Sequence, residues 1–514
     1  MTEFLRKSTR VKTSICKIVI GCIVLTTPVA VLAAGRTAGG YKNNSFIAPS
    51  DASSFINGIT SNATGYTTEY KKDYSVVNTD FYKKDRTIKY WSSHGLINGY
   101  VYGDANSVSL NIFDTPPAGY GTSFNWTGGN LEFVLLSACS QLGDFSSPAD
   151  GGKNNRAKYA SAMIGSNAVR VIAGYHASAP ARTSNRNIDE EVARKFIDYA
   201  KTGESVKSAW MLANNYFTDN GGFSTGYNWC VLTHSGNVQY SRFEGFPGTT
   251  YTRPGSSSTS ILRFSRTYPN GTPQVAASSV TATNIEGLTF TTDTNLLNST
   301  EIPDYYLKSS SSKINVKEDA PVMVLRDDKV VSTVSGEIGD EPVNFTKDDA
   351  KIKAEKWAAD IYVGLNVKNN KSKLIEVSPI KMAEVNLAGD SSKEVEEDVA
   401  YVVAFTNTYK DIPVKDNFYS VVVDNKGIST STTNWSDFKE VKTNEKANDF
   451  KKAVKIVSDT LSNTKYASKI VKNTELAFTY NSESDNYEPT WIFNMNDNKK
   501  VEVTCFNGKL SIKQ

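Results

Sequence analysis

LEFVLLSACSQL, residues 131–142, carries an apolar run into Ala-Cys-Ser, and YWSSHGLINGY, residues 90–100, carries a shorter one into His-Gly. The 514-residue chain holds three histidines and five cysteines, so one of each at the end of an apolar run needs a reason. IKYW (88–91), LEFVLLS (131–137) and VRVIAGY (169–175) are short and continuously apolar, as strands covered on both faces are. They read as the centre of a mainly parallel sheet. RAKYASAMIG, 156–165, is a helix-compatible segment between the second and third runs, the right size for a crossover between parallel strands. Ile188, Val192, Phe196, Ile197 and Ala200 then recur at helical spacing with Gly203 as a stop, and Val206, Ala209, Trp210, Ala213 and Tyr216 form a second stripe. NWCVLTHSGNV adds a strand and turn. The class expected for 51–246 is α/β, with helices flanking the sheet.

Open α/β sheets bind ligands at the carboxyl ends of their strands. His94 and Cys139 both fall there, and neighbouring strands would bring them to one edge. An imidazole at that edge takes the thiol proton, the thiolate attacks a carbonyl, and the imidazolium protonates the leaving amine. Backbone N–H groups of Gly95 and Cys139 are the candidates for the oxyanion, and glycine lets the backbone approach a substrate closely. The competing reading makes Cys139 a small buried hydrophobe at a strand end and His94 a turn residue. His176, past the third run, is the rival histidine and, with Asp144, a candidate for lining the same cleft. His234 sits in a THSGN turn.

A strand ending in His-Gly, followed 45 positions later by a strand ending in Ala-Cys (139 minus 94), resembles the caspase and gingipain group of cysteine peptidases, which includes the bacterial CHAT domains. LLSAC is similar to the CHAT nucleophile strand, YASAMIGSNAVRVIAGYH to the helix and strand after it, and SVKSAWMLANNYF to a later helix. The resemblance covers roughly 80–246. It implies a caspase-like fold, a cysteine endopeptidase, His94 as the catalytic histidine, Gly95 as the glycine after it and Cys139 as the nucleophile. The chain departs from the pattern in reading SQLGD after the cysteine, and no crossover helix is evident between the motifs. Peptidases of this group commonly select one residue beside the cleaved bond, and an acidic floor there would favour Arg or Lys. Asp104, Asp144 and Asp150 are the loop acids near the motifs, and 141–156 is a candidate mobile, self-processed loop.

Composition bounds the setting. A formal charge of +3 on 514 residues leaves no basic patch of the kind that binds nucleic acid, nor an acidic tail. Arg6, Lys7, Arg10, Lys12 and Lys17 precede IVIGCIVLTTPVAVLA, which ends in small residues placed for cleavage before Ala34. That reads as a signal peptide over 1–33, hence a secreted or extracellular protein, with cell-surface retention open. A retained anchor and lipid attachment at Cys22 are the competing readings. No later segment is apolar enough to span a bilayer. Signal removal leaves Cys139, Cys230 and Cys505, a sparse odd set that is not a disulfide framework. A Cys230–Cys505 bridge and three free thiols both remain open. No metal-ligand spacing appears, no cofactor is implied, and a calcium requirement is left open.

The remaining organisation is a polar lead-in at 34–50, a Ser/Thr/Gly/Pro-rich linker at 247–280, and an α+β C-terminal region at 281–514, divisible near 435/436. FTKDDAKIKAEKWAADIYVG reads as a helix opened by Thr346, followed by alternating strands, and NDFKKAVKIVSDTL begins a similar pattern again. The strand pair ending VVVDNKG is similar to PepSY-type domains, which accompany secreted peptidases as inhibitory or chaperone modules. Two functions are therefore expected to compete. One is a secreted cysteine peptidase acting on a peptide or protein substrate. The other is an inactive caspase-like surface protein binding a protein or polysaccharide through Tyr100, Tyr102, Tyr120, Phe124 and Trp126. The oligomeric state is not legible.

Overall fold

The computed structural model describes residues 35–43, 51–96, 99–102, 109–120, 124–126, 128–144, 154–166, 168–180, 182–183, 186–218, 228–247, 259–266, 283–291, 294–310, 315–318, 323–327, 330–363, 372–462, 469–481, 483–496 and 500–513. The segment read as a signal peptide, with Cys22, and the loop acids Asp104 and Asp150 lie outside these residues.

Five parallel strands form the first half of the sheet: β1 (Arg36–Asn43), β2 (Tyr66–Lys72), β3 (Ile88–Ser93), β4 (Phe133–Ser137) and β5 (Val171–Tyr175). Their spatial order is β2-β1-β3-β4-β5, and β6 (Trp229–His234) joins antiparallel beside β5. The three apolar runs are thus adjacent strands, and the reason they lack polar alternation is visible. Ile88, Tyr90, Phe133, Leu135, Val171 and Ala173 face one apolar layer, while Trp91, Val134, Leu136 and Ile172 face another. Helices α1 (Asp51–Asn62), α3 (Ile188–Lys201) and α4 (Val206–Thr218) cover the first face, and α2 (Asn155–Ser166) crosses from β4 to β5 on the second.

The sequence reading placed 34–50 outside the fold, yet β1 occupies the middle of the parallel set with six of its eight residues buried. RTAGGYKN has no apolar run to announce it. Its glycines serve packing: a Cβ on Gly40 would lie 2.5 Å from Ile56 Cγ1 and 3.0 Å from the Ala52 carbonyl, so their absence lets α1 settle on the strand.

The segment read as a linker also contains a strand. β7 (Ile261–Ser265) pairs antiparallel with β6 on one side and, on the other, with β10 (Ser372–Glu384) of the C-terminal region. The sheet continues through β11 (Glu397–Tyr409), β12 (Ile412–Asp424), β13 (Gly427–Asn434) and β9 (Val330–Val334) to β8 (Met323–Asp327), every pair antiparallel. The helix expected after Thr346 is α5 (Lys347–Ile361). Thr346 Oγ1 accepts the Asp349 amide at 3.2 Å, and Asp349 accepts the Thr346 amide at 3.0 Å, which satisfies donors that a helix start leaves unpaired. Ala350, Ala354 and Ala358 seat this helix on Val403, Phe405, Tyr419 and Val421.

A second sheet follows the second helix pattern. Strands 470–481, 486–495, 500–504 and 510–513 form an antiparallel meander. Helix α6 (Phe450–Ser462) packs Val454 and Val457 against Trp491, Phe493 and Val501. The molecule is mixed α/β, and no helix among the described residues is long and apolar enough to cross a membrane.

Candidate active site

β3 and β4 pair in parallel at a constant offset, from Ile88 opposite Phe133 to Ser92 opposite Ser137. His94 and Cys139 each follow the last paired residues, Ser92 and Ser137, by two positions. The regular strands end at Ser93 and Ser137, so the pairing fixes the sheet edge that His94 and Cys139 share. The backbones touch at this point: a Cβ on Gly95 would overlap the Cys139 carbonyl oxygen and lie 3.0 Å from its amide nitrogen. His94 is exposed and Cys139 half-buried.

The turn after β4 is held by the loop after β5. Ser140 has φ 59, a left-handed conformation that costs free energy for a non-glycine residue and persists only where surrounding bonds enforce it. Those bonds are present. Ser140 N donates to Ala177 O at 2.7 Å, Leu142 N to Tyr175 O at 3.0 Å, and Asn155 Nδ2 to Ser140 O at 3.1 Å. Ala179 N donates to Cys139 Sγ at 3.3 Å. Buried Gln141 adds a clamp, donating to Tyr100 O at 3.0 Å and Cys139 O at 3.2 Å while accepting from Tyr159 at 3.1 Å. The other cysteines, Cys230 and Cys505, are buried free thiols, so no bridge joins them; burial pushes the Cys230 thiol up to about 11 and the Cys505 thiol up to about 12.

His176 is committed elsewhere. Its Nε2 donates to Arg266 O at 3.2 Å, and burial lowers its pKa, which keeps the ring neutral. Asp144 is exposed near it. His234 lies at the opposite edge, its Nε2 bonded to Val169 O at 3.1 Å. Phe124 and Trp126, offered as contact residues, are buried in an aromatic cluster with Phe81 and Tyr159. Among the described residues no group of three or more His, Cys, Asp or Glu could hold a metal ion.

Sequence reasoning missed an acidic pair beneath the His94–Cys139 edge. Asp51, the first residue of α1, is fully buried. Its Oδ2 accepts from Tyr90 Oη at 3.3 Å, and the Ser92 and Ser137 hydroxyls beside it act to lower its pKa against the larger effect of burial. Ser92 and Ser137 each precede the site residues by two positions, about 7 Å along a strand. Asp189, near the start of α3, is its partner in charge. Burial first, and Asp51 second, push the Asp189 carboxyl up to about 8, and burial raises Asp51 as well. Each reads in sequence as an ordinary acid in the first turn of a helix. No protein-family model and no curated protein matches the chain.

Proposed function

We propose that the chain is an exported cysteine endopeptidase of the caspase and gingipain kind. The observation that supports this reading is the parallel pairing of β3 and β4, whose carboxyl ends run into His94-Gly95 and Cys139, with the Gly95 and Cys139 backbones in close approach. Cys139 thiolate attacks the scissile carbonyl, and the Gly95 and Cys139 amides face the developing oxyanion. His94 protonates the leaving amine, then takes a proton from the water that releases the acyl group from sulfur. Asp51 and Asp189 lie buried and protonated on the Tyr90 face of the sheet in the free chain, and a substrate Arg or Lys beside the scissile bond would supply the cation that lets them ionise. The competing binding-module reading is weakened by the burial of Phe124 and Trp126.

The test is cleavage of a diverse peptide library by the full chain, with Cys139→Ala, His94→Ala and Asp189→Asn in parallel and calcium present or absent. Cleavage after Arg or Lys, abolished in the first two variants and depleted of basic specificity in the third, is the expected result. An inactive wild type whose Cys139 also resists a thiol-directed probe would end the peptidase reading.

A further inference from the structure

We infer that Glu376 and Ser378 of the C-terminal region are positioning residues for the Cys139 turn, acting across the β7–β10 seam through Arg266 and the loop after β5. The kinetic part of this inference rests on the peptidase reading; the geometric part does not. Arg266 follows β7 and is 1% exposed. Its guanidinium is met by Glu376 in an ion pair, by Ser378 Oγ at 3.0 Å and by Asn215 Oδ1 at 3.0 Å, while Ser378 Oγ donates to Glu376 at 2.6 Å. A cation buried this completely depends on its counter-charge, and two of these three partners belong to β10.

The backbone of the same residue faces the other way. Arg266 O accepts His176 Nε2 at 3.2 Å, and Arg266 N donates to Trp229 O at 3.3 Å. His176 N donates to Asn228 O at 2.8 Å. The loop anchored by His176 then supplies the Ala177 carbonyl to Ser140, the Tyr175 carbonyl to Leu142 and the Ala179 amide to Cys139 Sγ. Every link is a direct hydrogen bond or one short step along the loop. The conformation of the nucleophile turn, with its left-handed Ser140, is therefore set partly by side chains that arrive more than 200 residues later in the chain.

Breaking the ion pair on one side leaves a buried charge and endangers folding, so the informative variant removes both charges. Arg266→Met with Glu376→Met in the full chain keeps an apolar filling at the seam, an exchange that is often neutral in stability. Its melting temperature is expected near that of the wild type. Its kcat is expected to fall about 10- to 100-fold with KM within about twofold, because misplacing a reacting group slows chemistry more than binding. Alkylation of Cys139 by iodoacetamide, located by peptide mapping, is expected to slow ~threefold or more as the Ala179 N–H leaves the sulfur. Glu337→Gln is the control, since Glu337 meets Ser205 and Ser208 across the seam at the opposite edge; it should keep both rates.

A folded double variant that cleaves and alkylates at wild-type rates overturns the inference. If the wild type cleaves nothing, the peptidase reading falls, and the alkylation comparison alone decides: slowed modification supports the positioning path, and an unchanged rate overturns it.

Discussion

Asp51 and Asp189 hold their protons in the folded chain at a pH where free carboxyls have lost them. The unfolded chain releases those protons near pH 4, so above that pH the native state binds more protons than the unfolded one, and stability falls as pH rises toward the Asp189 value of about 8. Asp51→Asn removes one of the two ionisable groups while retaining a group that can accept from Tyr90. It is expected to flatten the decline between pH 5 and 8, gaining on the order of 1–3 kcal/mol at the upper end, measured by chemical denaturation across that range. A variant whose pH profile parallels the wild type would show that the pair does not share its burden. The runs that end in His94-Gly95 and Cys139 were legible as strands, but that they are neighbours in the sheet is seen only in the pairing of β3 with β4. The acidic pair was not legible, since nothing local joins a residue of α1 to one of α3; only the packing of both helices on one sheet face does.

Secondary structure was legible where burial writes itself into composition and obscure where packing needs small residues. β3, β4 and β5 announce themselves because both faces are covered, and α3 and α4 because one stripe is. β1 offers glycines instead, and its strand character comes from parallel neighbours on both sides, β2 and β3. Gly40→Ala puts the strand's requirement to the test. The new methyl meets Ile56 Cγ1 at 2.5 Å and the Ala52 carbonyl at 3.0 Å, and only the first of these can swing aside. The expected cost is about 1–3 kcal/mol by overpacking, read from the midpoint of denaturant unfolding with an unchanged slope. A neutral substitution would mean that α1 can lift from the strand without loss. Because α1 also delivers Asp51, a shift of this helix should reach the acidic pair, and the pH profile of stability in Gly40→Ala should change along with its magnitude.

At the scale of the whole molecule, β7 decides whether the chain is two modules or one. Ser/Thr/Gly/Pro-rich sequence on both sides hides it, and its partner in β10 lies more than 100 residues away, so ILRFS had no local signal of its importance. The seam it makes is reinforced by buried charge. Glu394, next to the 3₁₀ turn after β10, meets Arg156 of α2 at 2.8 Å and Arg263 of β7 at 3.5 Å, all three side chains nearly buried. Removing the acid leaves Arg156 without its counter-charge, while Arg263 keeps Glu396 at 2.6 Å; a buried charge left unpaired costs about 3–5 kcal/mol. If the continuous sheet unfolds as one cooperative unit, Glu394→Gln should lower hydrogen-exchange protection of β4 and β5 together with that of β10 and β11, because opening the seam uncovers β6 and β7 and exposes the ladder on both sides. Protection lost only in β10–β13 would mean that the N-terminal sheet stands without its neighbour. The joint loss is the expected outcome, since Arg156 opens the helix that follows the Cys139 turn, and Arg156 N itself donates to Gly143 O at 3.2 Å. The cost of the unpaired cation thus falls on both halves, beside the turn as well as at the seam.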